Sequence, residues 1–208
     1  MIISAESVVC ASGVASRRHV APGQDGTVPT YVAFLRAINL GPNRKFPKAK
    51  IIEAVEDCGF TEVETYINTG NVRFTSSLRS AAKVEKALEK SFEKHAGFTV
   101  PAIVMTPKEL RQIAADAVEV AKRHRDTGAH YVSLLKEKPK AADIKKLEEL
   151  DHGEDLAAVH GRGAHLLVVT PSARGRLSNA TVEKLLGVAT NRNLTVVNHL
   201  AEKWGADG

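Results

Sequence analysis

The chain is poor in the residues that mark a disulfide scaffold, a metal centre or a stacked aromatic surface. Its 208 residues include two cysteines, Cys10 and Cys58. Those two thiols make neither a disulfide framework nor a metal-ligand spacing, and a reduced, cytoplasmic protein is the natural reading. Aromatic residues are only 5% of the chain, with a single Trp, which leaves little from which to build a platform for stacking bases. No apolar run approaches the ~18 residues that a membrane span needs, so no membrane partner is expected. The opening stretch has no charged leading region and no sustained apolar core, and so makes a poor signal peptide. There is also no long acidic or polybasic tail to hold nucleic acid or lipid by charge alone.

What is present is ordinary globular material: 43% apolar and 25% charged residues, with a net charge of +5. The charge is spread out. Residues 1–29 balance, residues 30–106 carry 11 bases against 8 acids, and residues 107–208 carry 16 against 14. This mild basicity leans towards anionic partners. Residues 1–29 are rich in Gly, Ser, Pro and Thr in their second half and are expected to be a disordered tail. If the source is bacterial, Val28 is a plausible start, and residues 1–27 would then be an over-extended gene start.

From Thr30 the patterning sharpens. "YVAFLRAI" is a nearly continuous apolar run, as a buried central strand requires. A helix is expected from Phe46-Pro47, with Pro in its first turn, Ile51, Ile52, Val55 and Cys58 facing inward, and Gly59 as its stop. "TEVETYI", the turn "NTGN" and "VRFTS" read as a hairpin. A second helix follows with Val84, Ala87, Leu88, Ser91 and Phe92 on one face, and then the strand "FTVPAIVM". Strand, helix, strand, strand, helix, strand is the split βαβ, ferredoxin-like order.

Thr106-Pro107-Lys108-Glu109 is a capping box that starts a linking helix to about Ala117. The order then repeats: strand "HYVSLL", helix "PKAADIKKLEEL", a hairpin around "GRG", and a helix from Asn179 to Leu186. A reduced final strand is expected near Val188-Ala189, and then an extra C-terminal helix with Val196, Val197, Leu200 and Trp204 on one side. The fold expectation is therefore α+β, with ferredoxin-like lobes at 30–106 and 129–208 joined by a linking helix and loop at 107–128.

In such a lobe the first two strands run parallel, so the end of the first strand and the tip of the following hairpin share one edge. That brings together "LRAINLGPNRKFPKAK", with five bases and no acid in sixteen residues, and "NTGN". Arg36, Asn39, Lys45, Asn68 and Asn71 are expected to line a concave surface there, with Gly70 allowing close backbone approach. Arg192 and Asn193 are possible additions from the second lobe. Cations, amides that both donate and accept, and a helix start suit a small phosphorylated or carboxylated ligand. The bland alternative remains beside it: lysines that are simply solvated and asparagines that only cap and turn.

The same residues carry a family resemblance. "YVAFLRAINLGPNRKFPKAKI", "CGFTEVETYINTGNVRF" and "EKLLGVATNRNLTVVNHL" are similar to segments of the domain-of-unknown-function 1697 family, over about residues 30–204. The resemblance implies a two-lobed α+β fold and no established activity. Two positions depart from the family pattern: Pro42 where a second Gly is common, and Leu194 where Trp is common.

Other chemistries have weaker support. A nucleic-acid module is the leading alternative, because RNA-recognition domains share the element order. Arg36, Thr69 and Asn71 stand where stacking aromatics would be needed, however. A protein-interaction or scaffolding role is a third possibility. His160 and His165 lack a supporting ligand set, Ser178 reads as a helix cap, and Cys58 as inert core. No cofactor fingerprint is present. The residues point to binding without naming a reaction.

Overall fold

The computed structural model of the protein describes residues 28–123, 128–169 and 177–206. The expected tail therefore lies outside the described residues, except for Val28 and Pro29. The elements come in the order β1 (Thr30–Leu35), α1 (Lys48–Glu56), β2 (Thr61–Tyr66), β3 (Asn71–Thr75), α2 (Ala81–Ala96) and β4 (Ala102–Met105). They continue with α3 (Pro107–Arg123), β5 (Ala129–Leu135), α4 (Ala141–Glu148), β6 (Leu156–His160), β7 (Gly163–Val168), α5 (Asn179–Leu186), β8 (Ala189–Asn193) and α6 (Leu194–Trp204). They form two four-stranded antiparallel sheets, ordered β2-β3-β1-β4 and β6-β7-β5-β8.

The continuous apolar run of β1 has a direct cause: both faces of its sheet are covered. Tyr31, Ala33 and Leu35 pack against Ile51 and Val55 of α1 and Val84, Leu88 and Phe92 of α2. The alternate residues, Val32 and Phe34, join Met105 of β4, Leu110 and Ile113 of α3, Val132 and Leu134 of β5, and Leu200 and Trp204 of α6. One core therefore joins the inner faces of both sheets to α3 and α6. Each large apolar side chain buried there contributes about 1.5–3 kcal/mol relative to exposure. The outer face of the second sheet packs on α4 and α5 through Leu147 and Val182.

Three local expectations are adjusted. Pro47 is the N-cap of α1 and not part of its first turn, because a short 3₁₀ turn at Pro42–Arg44 takes up the preceding chain. The linking helix α3 runs on to Arg123, since Val120 continues its apolar stripe and is fully buried with Leu167 and Ala158. The final strand is not reduced. It is five residues long, "ATNRN", and pairs with β5 from Leu135↔Ala189 to Tyr131↔Asn193. An edge strand needs only one neighbour, so a largely polar sequence can form it. No helix among the described residues is long and apolar enough to cross a membrane.

Candidate functional site

The chain leaves β1 at Leu35, whose N–H donates to the Gly70 carbonyl at 2.7 Å, and the Arg36 N–H donates to Pro101 at 2.9 Å. Strand end and hairpin tip are thus stitched together, and β8 lies across them. Between them opens a cleft of about 730 Å³, lined by residues 35–40, 67–69, 179, 190–193 and 196. Of the expected site residues, Arg36, Asn39, Asn68, Arg192 and Asn193 line it. Lys45 is exposed and borders a second hollow with Pro47 and Lys48, on the other side of Asn39 and Asn68. Asn71 is 1% exposed and Gly70 is also buried, so both lie beneath the surface.

Arg192 is the centre of the arrangement. Alternation along β8 puts Thr190 and Arg192 on one face, and Nη1 donates to Thr190 Oγ1 at 2.9 Å and to the Asn191 carbonyl at 2.8 Å. Nε donates to Asn71 Oδ1 at 2.8 Å, while Nη2 donates to the carbonyls of Thr69 at 2.8 Å and Leu35 at 3.1 Å. Its guanidinium carbon stands 5.8 Å from the Phe34 ring centroid. Every partner is neutral, and among the described residues no carboxylate pairs with it. Burial lowers its pKa to about 10, which still leaves it charged at neutral pH. A buried cation without a counter-ion is costly unless its surroundings compensate. Here carbonyls, an amide oxygen and the Thr190 hydroxyl engage all five of its donors without neutralising its charge.

Arg36 is held differently. Its Nε and Nη2 donate to Glu183 Oε1 and Oε2 at 2.6 and 2.9 Å, a bidentate pair from the first half to α5. The Glu183 hydrogen bonds raise the Arg36 pKa. Burial pushes the Glu183 carboxyl up, but Arg36 and the Ala189 N–H outweigh it and leave its pKa lowered. The pair uses one edge of the guanidinium, and among the described residues Nη1 makes no hydrogen bond. Arg36 is about a third exposed, so that outer edge is open to the cleft.

The asparagines divide by role. Asn39 is mainly architectural: Oδ1 accepts from the Phe46 N–H at 2.9 Å and Nδ2 donates to the Asn68 carbonyl at 2.7 Å. Asn71 Nδ2 donates to Thr69 Oγ1 at 2.9 Å while its oxygen receives Arg192. Asn193 caps α6 by accepting from the Thr195 N–H. Gly70 has φ of +76°, and a Cβ there would meet Leu35 Cβ at 2.7 Å and Ile38 Cδ1 at 2.8 Å. Only glycine fits.

Three other wall residues, Ala37, Asn39 and Ile67, adopt positive φ without being glycine (56°, 57° and 46°). Such conformations cost about 1–3 kcal/mol each and persist only where the surroundings over-determine them. Reading the sequence missed Glu183, Asn179, Thr190 and Asn191. Asn191 and Thr190 lie next to Arg192 in "ATNRN" and had a local signal, whereas Glu183 had none. Leu194, where the resemblance leads to an expectation of Trp, packs against the shared inner core and does not line the cleft. The sheet face on which an RNA-recognition domain would stack bases is closed, because Val32, Phe34 and Met105 on it have no exposure. Among the described residues, no three His, Cys, Asp or Glu side chains gather as metal ligands.

Comparison with known proteins agrees with this architecture. The solved structure of a conserved bacterial protein from Streptococcus pneumoniae superposes with a TM-score of 0.62 at 22% identity, over 86% of this chain and 99% of that one. That likeness is one of fold. No curated protein matches the sequence. A family described as "Protein of unknown function (DUF1697)" matches residues 28–164, a span holding β1, the basic loop and the hairpin tip, and the chain belongs to that family.

Proposed function

We propose that the cleft binds a small anionic ligand, phosphorylated or carboxylated. The observation that carries this reading is Arg192, a fully hydrogen-bonded buried cation that no carboxylate pairs with among the described residues, under a cleft of about 730 Å³. Its five N–H donors are already engaged, so it acts through charge, while the open edge of Arg36 supplies the direct contacts. The N-terminus of α6, at Asn193, adds the positive end of a helix dipole. The same reading takes the two halves, 30–106 and 129–208, as ferredoxin-like lobes joined through 107–128. The matching strand orders of the two sheets support it, and the cleft then lies where the lobes meet.

A thermal-shift screen with inorganic phosphate, sugar phosphates, nucleotides and small carboxylates tests this function. A ligand at 100 times its dissociation constant should stabilise the protein by about 2.7 kcal/mol. The shift should disappear in a folded Arg36→Ala protein. An equal shift in that variant removes Arg36 from the site, and no shift with any anion removes the reading altogether. A protein-interaction role would then rest on the rim, where Leu40 and Ile67 stand 65% and 40% exposed.

A further inference from the structure

We propose that the ligand carries a single negative charge, on a carboxylate joined to an uncharged body that both donates and accepts hydrogen bonds. The inference rests on the reading of the cleft as an anion site and narrows it.

The first argument is charge. Among the described residues, Arg36 and Arg192 are the charged ones lining the cleft, and Glu183 neutralises Arg36 by its bidentate pair, leaving a net charge of about one unit from them. The lysines that would raise this number, Lys45 and Lys48, open onto the neighbouring hollow beyond Asn39 and Asn68. A monoanion brings the cleft to neutrality. A phosphate dianion or a pyrophosphate leaves surplus negative charge beside Glu183 in a partly enclosed space, where water screens it poorly.

The second argument is shape. With its Nε edge on Glu183, Arg36 offers the Nη1/Nη2 edge, two parallel N–H groups matched to the two oxygens of a planar carboxylate.

The third argument is the rest of the wall. Asn68, Thr69, Asn179, Thr190 and Asn191 are polar and uncharged, and Leu40, Ile67 and Val196 give it an apolar side. The volume is within the range of small-molecule sites, roughly 300–1,000 Å³. An N-acylated amino acid has this mixture of one carboxylate, an amide and a short apolar part. A phosphodiester shares the charge but not the planarity, which makes it the informative competitor.

The test is isothermal titration at fixed ionic strength with N-acetylglycine, its neutral amide, dimethyl phosphate, inorganic phosphate and pyrophosphate. N-acetylglycine should bind and its amide should not, with pyrophosphate weaker by at least tenfold. Glu183→Gln, checked for a native-like melt, adds one positive charge to the cleft. It should shift the preference towards pyrophosphate by about tenfold, or ~1.4 kcal/mol. Phosphate or pyrophosphate binding more tightly than N-acetylglycine to the wild type overturns the single-charge assignment and leaves the anion reading standing. Tighter binding of dimethyl phosphate overturns the carboxylate in favour of a phosphodiester. Binding of none of the four anions overturns the anion reading itself.

Discussion

Arg192 serves two ends at once. It holds the hairpin tip to β8 through Asn71 and the carbonyls of Leu35 and Thr69, and it supplies the unbalanced charge of the cleft. Arg192→Met keeps most of the side-chain volume and removes the charge and all five donors. Relief of the buried charge offsets part of the loss, but Asn71 Oδ1 and the inner carbonyls lose their donor, and each such orphan costs about 1–3 kcal/mol. The variant should be less stable by about 2 kcal/mol in urea denaturation. Unchanged stability would mean that the hydrogen bonds of Arg192 do not hold the two halves together. Arg192→Lys should restore little, because an ammonium has three donors on a point charge and not five in a planar fork.

At the scale of elements, the second sheet presents a testable pH dependence on the side that faces α3. His165 of β7 has no exposure, and its Nδ1 lies 3.2 Å from His130 Nε2 of β5 while its Nε2 has no hydrogen-bond partner among the described residues. Two residues along the same strand face, Leu167 packs with Val120 of α3. Burial, then the neighbouring His130 and His160, depress the His165 pKa to about 3. An unfolded histidine titrates near 6.5, so on acidification the unfolded chain takes up a proton that the folded chain refuses. The stabilisation from a neutral His165 is thus complete above about pH 6.5 and is lost as pH falls towards about 3. At pH 5 the expected cost is about 2 kcal/mol, read as the difference in urea midpoint against pH 7.5. His165→Leu should flatten that dependence, and an unaltered slope would assign it to other groups.

Elements were legible in the sequence where packing left a periodic trace. β1 announced itself because both faces are buried, and α2 because Val84, Leu88 and Phe92 recur on one side. β8 did not, because an edge strand can be polar and its pairing is set by β5, more than fifty residues earlier. The site followed the same division. Arg36, Asn39 and Asn71 were visible as local features of a loop and a turn. Glu183 was invisible, because its partner Arg36 lies 147 positions away and nothing in "TVEKLL" distinguishes that acid from a solvated one. The turn pattern points to Asn71 as a surface residue, whereas it is the buried acceptor for Arg192, a role that exists only once the two sheets meet.

The whole molecule is tied across its middle by more than the shared core. Arg162 bonds Glu109 and the Val104 carbonyl, Glu64 receives Lys203 and the Trp204 indole N–H, and Lys136 pairs with Glu85 and Glu89. The halves should therefore unfold as one unit, with calorimetric and van't Hoff enthalpies that agree. Two resolved transitions would show that each half stands alone and that the cleft joins independent bodies. The strain around the cleft has its own consequence for anyone engineering the protein. Glycine at positions 37 or 67 would relieve a left-handed backbone, and against that gain stands the added freedom of the unfolded chain. A screen that rewards melting temperature alone is blind to what those residues shape. Robustness and recognition would then be selected against one another along the same few peptide bonds.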